Sequence, residues 1–364
     1  MQKSILNSDS RKHEIYAIPA AIALVVLMGI MLHFISDAFL TFFAALFLAN
    51  IFVPLIQLLN RKRVPMFISI IIVLVIVAAF LFGLTIVIST TVNSLVEILP
   101  KYQQKWENVF LPAISSTAAR ISPSLESQIH EFNPMSILAP SKLLAAVSSV
   151  TALVGSSVLV LLFMLFILAS HGQLILKIER AFPPSDSFHL KQMFETIDSR
   201  VRKYLLTTLL INTIAGVTMT LSLLFFGVDL ALLWGMLTFL LMFIPNIGSI
   251  FAISLPLVVA FLQFDTLGTP IALSIVVIIT QVLIGSYISP LVLGTTLNLS
   301  PLLILISIIF WGWVWGPLGM ILGVPITSSL AIIFESIPPL VPLGLLMSSG
   351  RERKPPKLIV KRKK

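Results

Sequence analysis

The stretch YLLTTLLINTIAGVTMTLSLLFFGV, residues 204–228, decides the fold class of this chain. It contains no charged residue, and a helix that rises about 1.5 Å per residue over this length crosses a hydrocarbon core of about 30 Å. Backbone groups in lipid must bond within their own segment, so a run without strand alternation is a helix. From Tyr204 to Gly350 the chain has no Lys, Arg or His, and its only acids are Asp229, Asp265 and Glu335. The sequence therefore predicts protein that is embedded in lipid.

The composition of the whole chain agrees with this interpretation. Of its 364 residues, 57% are hydrophobic and 11% are charged, and the mean hydropathy is +1.05. A soluble globular domain carries about 25% charged residues, so the apolar side chains here cannot all be buried in a water-facing fold. An ordinary cytosolic enzyme, a disordered protein and a nucleic-acid-binding module are excluded. The absence of cysteine also excludes disulfides, thiolate catalysis and cysteine-ligated metals.

Other apolar runs have a comparable length. They are residues 16–35, 38–59, 66–89, 147–170 and 271–288. The first run extends beyond the apolar core of a signal peptide and has no cleavage site of small residues, which favours a retained span over a cleaved signal. The predicted fold class is all-α, a polytopic integral membrane bundle of helices.

Proline and glycine break the helices of the C-terminal half at Pro245–Ser249 and at Gly316–Gly319. The apolar segments on either side of these breaks are residues 230–244, 250–262, 302–315 and 320–334. Each is short for a span, which needs about 20 apolar residues. Two interpretations remain open. The segments are either half-helices of re-entrant hairpins that expose backbone to a substrate or ion, or short tilted spans joined by surface turns.

Basic residues predict the orientation, because Lys and Arg concentrate in cytoplasmic loops. They cluster at residues 1–15, 60–65, 171–203 and 351–364. This pattern alternates with the first four spans and predicts that both termini are cytoplasmic. The number of crossings is then even, and six, eight and ten all fit. For the basic tail, a topology anchor or attraction to anionic lipid is favoured over nucleic-acid binding.

The predicted organisation has five parts. They are a cytoplasmic N-terminus (1–15), three transmembrane helices (16–91), an extracytoplasmic amphipathic segment (92–146), a main transport domain (147–350) that includes a cytoplasmic amphipathic connector (171–203), and a basic cytoplasmic tail (351–364). We expect the helix that opens the extracytoplasmic segment to be interrupted or bent at Pro100. The segment is expected to lie on the outer membrane face or on the other spans, with an external lid or an oligomer contact as the alternative.

The chain carries no motif for catalysis. Its five histidines are scattered, and it has neither a phosphate loop nor a carboxylate pair flanked by an acid–base partner. A metal site needs convergent ligands. We therefore expect no enzymatic activity, no metal and no cofactor.

Uncharged polar residues and helix breakers inside apolar segments are the candidates for a substrate pathway. Asn212 lies within residues 204–228 and Gln281 within residues 271–288. An ionisable group at membrane depth is a functional candidate by default, although Glu335 also fits a helix end near the interface. The complete candidate set is Asn212, Pro245, Asn246, Gly248, Gln281, Pro290, Gly294, Asn298, Pro301, Gly316, Pro317 and Glu335.

Glycines with GxxxG spacing occur twice near the second break. The pairs are Gly312 with Gly316 and Gly319 with Gly323. Small residues let helices approach closely in lipid, where the hydrophobic effect does not drive association. We expect these glycines to serve helix packing, which is compatible with a hinge at Gly316 and Pro317.

Four Pro/Gly landmarks in the C-terminal half resemble the autoinducer-2 exporter family of permeases. They are FIPNIG at 243–248, SPLVLG at 289–294, LNLSP at 297–301 and GPLGMILGVP at 316–325. The resemblance implies a polytopic inner-membrane protein of roughly eight transmembrane segments that forms homo-oligomers. It also implies a link to export of autoinducer-2 or, in some members, to sodium/proton exchange. Ile284 stands where many members carry an acidic residue, which puts cation or proton coupling at this position in doubt.

Three functions are therefore considered. The first is a permease or exporter of a small polar solute, whose broken C-terminal segments form the pathway. The second is a sodium/proton antiporter, for which Glu335 is the best available carboxylate. The third is a membrane scaffold that holds partners through residues 92–146 and the tail. The expected partners are membrane lipid, a small-molecule or ion substrate and further copies of the chain, but not nucleic acid.

Overall fold

The computed structural model describes residues 29–31, 36–112, 115–116, 119, 122, 157–170, 173–245, 247–289 and 298–350. Most of the predicted first span, most of the extracytoplasmic segment beyond residue 112 and the whole basic tail lie outside the described residues. The predictions made for those parts stay predictions.

Helices account for nearly all of the described structure. They are α1 Ser36–Arg61, α2 Met66–Lys105, α3 Ser157–Ala169, α4 Gln173–Ala181, α5 Pro184–Phe226, α6 Ala231–Leu241, α7 Ile247–Gln263, α8 Gly268–Leu283, α9 Pro301–Ser336 and α10 Val341–Met347. The π-helical turns Trp106–Phe110 and Ile284–Ile288 extend α2 and α8. The described residues form no strand beyond an isolated bridge between Leu299 and Ser348. The predicted all-α class is confirmed.

Several helices carry large apolar side chains on their outer surfaces. Within the described residues, five helices are long and apolar enough to cross a membrane, and α3 with α4 makes a sixth if that bent pair is one span. Phe67, Phe166 and Phe225 are exposed along them. Apolar surface on this scale is not tolerated in water and marks contact with lipid. The predicted polytopic membrane protein is therefore confirmed.

Helices α2 and α5 are longer than the sequence predicts. The α2 helix runs through Pro100 to Lys105 without an interruption, which contradicts the first of the two expectations at Pro100, while the expected bend stays a prediction. Leu99 and Tyr102 are buried in the core on either side of that proline, and their packing keeps the turn helical. The α5 helix joins most of the predicted connector to the fifth span without a break.

The chain divides into two compact units. The central unit comprises residues 47–174 and 202–296, and the C-terminal unit comprises residues 1–46, 175–201 and 297–364. The core of the central unit brings together apolar side chains from α2, α5, α6, α7 and α8. Its buried members include Leu99, Met219, Leu223, Trp234, Val259, Leu273 and Val277.

In the central unit, α6 and α7 form a hairpin, which we call the first hairpin. Gln263 at the end of α7 binds the chain just before α6, because its Nε2 donates to Gly227 O at 2.7 Å and its Oε1 accepts from Asp229 N at 2.7 Å. Both ends of the hairpin therefore lie at the same place. The α6 arm has 11 residues, which at 1.5 Å per residue is about 16 Å and about half of a membrane core.

In the C-terminal unit, the two halves of α9 form a second hairpin. Gly316 has φ 65° and ψ −149°, which breaks the helix between the arms 301–315 and 317–336. The arms fold back on each other, since Ser307 Oγ lies 2.7 Å from Thr327 Oγ1 and Trp311 Nε1 donates to the same oxygen at 3.0 Å. At about 1.5 Å per residue the first arm is also too short to cross.

Candidate functional site

Asn212 fastens the tip of the first hairpin to α5. In the amide orientation that satisfies both of its ends, Nδ2 donates to Thr208 O at 3.2 Å and Oδ1 accepts from Phe243 N at 3.1 Å. Asn212 lies about 21 Å along α5 from Phe226 and about 13 Å from Lys203, at about 1.5 Å per residue. The tip therefore contacts α5 within the uncharged stretch 204–228 rather than at its end, which favours the re-entrant interpretation of this break over a surface turn.

Two glycines allow α5 and α6 to touch above this tip. A Cβ on Gly216 would lie 2.8 Å from Gly235 O, and a Cβ on Gly235 would lie 2.7 Å from Gly216 O. Both are shorter than real Cβ contacts, so only glycine permits this approach. This pair was not predicted, because its members lie on different helices.

The turn between α6 and α7 is equally crowded. Pro245 O accepts from Ile247 N at 2.8 Å, and Gly248 is buried against the end of α6. A Cβ on Gly248 would lie 1.7 Å from Leu241 O. These two candidates therefore shape the turn, while the neighbouring candidate Asn246 lies outside the described residues.

Gln281 on α8 is the most unusual polar side chain of the central unit. Its exposed fraction is 5%, and neither Oε1 nor Nε2 has a hydrogen-bond partner. Leaving a buried polar group without a partner costs about 1–3 kcal/mol, so two orphaned atoms on one amide require an explanation. A bound solute that exchanges hydrogen bonds with the amide supplies one.

Two further buried groups without partners lie on α6. Thr238 has an exposed fraction of 0% and its Oγ1 is unsatisfied, and the indole Nε1 of Trp234 is also unsatisfied although the ring is buried. Thr238 lies one turn after Trp234, on the same face of α6. The sequence analysis missed both, since neither residue type is unusual in an apolar helix.

Residues 211–216 of α5 contact both α6 and the turn that extends α8. Ile211 and Ala215 pack against Ile284 of the turn that extends α8, whereas Gly216 meets α6. With about 100° per residue, Asn212 lies on the arc between those two faces. Gln281 lies three residues before Ile284 on α8, and Thr238 lies three residues after Gly235 on α6, whereas Trp234 packs in the core near the base of the hairpin.

Ile284 stands where the family resemblance leads us to expect an acidic residue. Its side chain is buried with Ile211 and Ala215, and Ile214, Met242 and Ile288 pack around them. A carboxylate at this position would be surrounded by apolar groups, which strongly disfavours its charged form. The described part of this region is therefore lined by neutral groups.

The remaining candidates belong to the second hairpin or lie outside the described residues. Asn298 Oδ1 accepts from Ser349 Oγ at 2.8 Å, and Pro301 begins α9 beneath a Ser300 cap. Gly316 and Pro317 form the tip, and the Glu335 side chain packs against Gly344. Pro290 and Gly294 lie outside the described residues.

The other three glycines with GxxxG spacing lie where the arms of the second hairpin meet. A Cβ on Gly312 would meet the Met320 side chain at 2.8 Å, one on Gly319 would lie 1.9 Å from Trp311 O, and one on Gly323 would lie 2.9 Å from the Trp311 ring. Contact between the arms occupies all three positions. Among the described residues, no group of three His, Cys, Asp or Glu side chains is placed to hold a metal ion.

Comparisons with known proteins find similarity to transport proteins. A family model described as "AI-2E family transporter" matches residues 22–338. The AI-2 transport protein TqsA of Escherichia coli K12 is 30% identical over 92% of this chain and 95% of its own length. A putative transport protein of Haemophilus influenzae is 29% identical over 87% of this chain and 91% of its own length. The putative transport protein YhhT of Escherichia coli K12 is 27% identical, covering 90% and 93%.

Proposed function

Because this chain belongs to the AI-2E family of transporters, we propose that it carries a small uncharged polar solute past the tip of the first hairpin, with Gln281 as the main recognition group. The predicted family and the predicted function as a transmembrane permease are confirmed by that membership. The solute, the pathway and the residues named here are our proposal. The relatives reported above are named as transport proteins, and none as an ion exchanger or a scaffold.

The observation that carries the proposal is the unpartnered amide of Gln281. An amide offers two donors and an acceptor with two lone pairs, so it suits a solute that carries hydroxyl or carbonyl groups. Thr238 and Trp234 add a hydroxyl and an indole N–H on α6. All of these groups are neutral at physiological pH, and an ionic solute would find no counter-charge among them.

Asn212 has a different proposed role, because both ends of its amide are already bonded. It holds the tip of the first hairpin, while Gln281 is free to bind solute. Pro245 and Gly248 keep the turn compact. The solute is expected to cross chemically unchanged, since the chain carries no recognisable catalytic motif.

The first solute to test is AI-2, because one relative is named an AI-2 transport protein. Proteoliposomes loaded with AI-2 report its release over time. We expect Gln281→Leu to lower the initial rate by about tenfold or more, since losing a hydrogen bond of about 1.4 kcal/mol in the transport step changes a rate tenfold. Thr280→Val is the matched control, because the Thr280 hydroxyl bonds within its own helix to Val276 O at 2.9 Å.

An unchanged rate in Gln281→Leu would refute the assigned pathway. If neither parent nor variant releases AI-2, a panel of other neutral polar solutes tests the solute class. A rate that follows an imposed sodium or pH gradient and is lost in Glu335→Gln would instead favour the antiporter.

We also propose six membrane crossings, with both termini on the cytoplasmic side of the inner membrane. Each hairpin returns to the side from which it starts and adds no crossing. The crossings are then residues 16–35, α1, α2, the α3–α4 region, α5 and α8.

The chain has no cysteine, so Leu267→Cys and Lys62→Cys each report one loop. A membrane-impermeant thiol reagent should label Leu267→Cys in cells with a permeabilised outer membrane and leave Lys62→Cys unlabelled, and the reverse pattern would refute this topology.

Homo-oligomer formation is proposed from the family resemblance. Native mass spectrometry of the purified protein should give a multiple of the 40.0 kDa chain mass. A monomer at all concentrations would refute this part of the proposal.

A further inference from the structure

The part of α2 beyond the membrane contacts both ends of the first hairpin. The span within α2 is Met66–Val87, and the helix continues to Lys105. Tyr102 lies on this extension with an exposed fraction of 0%, and its hydroxyl donates to Asp229 Oδ2 at 2.9 Å. Asp229 lies two residues before α6, so this bond holds the start of the hairpin.

Lys105 holds the other end. Its Nζ donates to Phe264 O at 2.7 Å and to Gln263 O at 3.2 Å, and it forms an ion pair with Asp265 Oδ1 at 2.7 Å. The two carbonyls belong to the end of α7, where a positive charge complements the helix dipole. The Lys105 side chain is 14% exposed, whereas that of Asp265 is 95% exposed, so the carbonyl contacts are better shielded from water than the ion pair.

Gln263 at the end of α7 also bonds to the chain just before α6 and so joins the two ends of the hairpin directly. The four side chains Tyr102, Lys105, Asp229 and Gln263 thus tie one continuous helix to both arms at their base. Burial, and then the hydrogen bond to Asp229, raises the pKa of Tyr102 above its ordinary value. The hydroxyl therefore remains a donor throughout the physiological pH range.

We propose that Tyr102 and Lys105 form an external latch, a pair of positioning residues that fix the base of the first hairpin and thereby restrict movement of its tip. The tip of the hairpin is held by the Asn212 amide and by the packing of Met242 against Ile211 and Ile284. The latch adds polar contacts that clamp both arms to α2 at the base. Its importance for transport rests on the proposed function, but its effect on the tip does not.

The test uses the full chain, which has no cysteine of its own. Ile244→Cys places one thiol at the half-buried tip, and its reaction with a membrane-impermeant maleimide is followed in native membranes. We expect Lys105→Met to raise the labelling rate by about fivefold or more, because charge-assisted hydrogen bonds are the stronger ones. Tyr102→Phe removes a single hydrogen bond, whereas Lys105→Met removes three polar contacts, so it should raise the rate less, by about threefold.

Two controls separate the latch from a general loss of charge or fold. Lys101→Met removes the same charge one turn earlier from an exposed position and should leave the labelling rate within twofold. Lys105→Arg keeps the charge and the donors and should restore the parent rate. If Lys105→Met does not accumulate, Tyr102→Phe decides the question.

The latch would be overturned if Lys105→Met raised the labelling rate by clearly less than the expected fivefold, or if Lys101→Met raised it as much as Lys105→Met does. Failure of Lys105→Arg to restore the parent labelling rate would also overturn it. The labelling rate does not depend on which solute is carried. If the labelling rate rises as expected but flux is unchanged in Gln281→Leu, only the proposed pathway is refuted. If flux falls in Gln281→Leu but the labelling rate does not rise in Lys105→Met, only the latch is refuted.

Discussion

The two hairpins are built alike but differ in whether polar side chains bond between their arms. In the second hairpin, Ser307, Trp311 and Thr327 bond to one another across the two arms, although Ser328 Oγ in the same hairpin is buried without a partner. In the first hairpin, the side-chain polar atoms of Trp234 and Thr238 have no partner, and neither has Gln281 on the adjoining α8. Both sets of side chains are buried.

This difference separates a structural hairpin from a functional one. A satisfied polar cluster stabilises one arrangement of the arms, because breaking it leaves several groups unpaired at once. Unsatisfied groups lower stability and are retained only where something else requires them. The second hairpin is therefore interpreted as scaffold and the first as the solute-contacting element. The four predictions below test this interpretation, from the largest effect to the smallest.

Gly319→Val in the second hairpin has the largest expected effect. The new Cβ would lie 1.9 Å from Trp311 O and 2.9 Å from Trp315 Cβ, so the arms must separate. Overpacking of this kind, against backbone rather than a flexible side chain, costs about 3 kcal/mol or more. We expect little folded protein in the membrane, measured by detergent extraction and size-exclusion chromatography.

Gly83→Val on α2 is the matched control, because nothing lies within 4 Å of a Cβ at that position. It should be extracted in nearly parental amount. Normal accumulation of Gly319→Val would show that the arms of the second hairpin do not need their close contact, and the scaffold interpretation would fail.

A pair of threonine variants compares the two hairpins directly. Thr327→Val removes the acceptor of Trp311 Nε1 and the partner of Ser307 Oγ, and it should destabilise the protein by about 1–3 kcal/mol. Thr238→Val removes a hydroxyl that has no partner, so stability should stay the same or rise. Thermal unfolding in detergent measures both effects.

For transport, we expect the variant with the smaller effect on stability, Thr238→Val, to have the larger effect. Flux per folded molecule should fall in Thr238→Val and remain near the parental value in Thr327→Val. If Thr238→Val lowers the unfolding temperature as much as Thr327→Val does, Thr238 has a structural partner and the distinction between the hairpins is lost.

Much of this architecture could be predicted from hydrophobic runs and helix breakers. The spans within α1, α2, α5 and α8 follow from apolar length, and the two breaks follow from Pro245 and Gly316. The distribution of basic residues could not decide between a re-entrant hairpin and a pair of short spans, because both return the chain to the same side of the membrane. That choice needed the contacts of Gln263 with Gly227 and Asp229 and the position of Asn212 along α5.

Recognition of the site was less complete, for a physical reason. Asn212 and Gln281 stand out in sequence because amides are costly in lipid. Thr238 does not, since a threonine hydroxyl usually bonds to its own helix, as Thr213 does with Leu209 O. The absence of a partner is a property of three-dimensional packing. The approach of Gly216 to Gly235 was invisible for the same reason.

Asn212→Leu should have a smaller effect than the threonine variants. It removes the acceptor of Phe243 N, but this N–H also donates to Leu240 O at 3.2 Å. Polar contacts between membrane helices contribute about 0.6 kcal/mol on average, so the unfolding temperature should change little. The tip should nevertheless be freer, and labelling of Ile244→Cys should rise. An unchanged labelling rate would show that Asn212 does not hold the tip.

The smallest expected effect concerns pH and distinguishes the latch from the pathway. The hydrogen bond and charge of Lys105 lower the pKa of Asp265 below its ordinary value. A carboxyl group with a lowered pKa in the folded state contributes stability above its unfolded pKa, which is about 3.9. That contribution is lost as the pH falls through the lower folded value. The difference in unfolding temperature between the parent and Asp265→Asn should therefore be small near pH 6 and shrink further as the pH falls below about 3.9. Flux should remain constant from pH 6 to pH 8, because Asn212, Trp234, Thr238 and Gln281 do not titrate there. A flux that changes steeply across that range would require an ionisable group in the pathway, and the neutral character assigned to the first hairpin would be wrong.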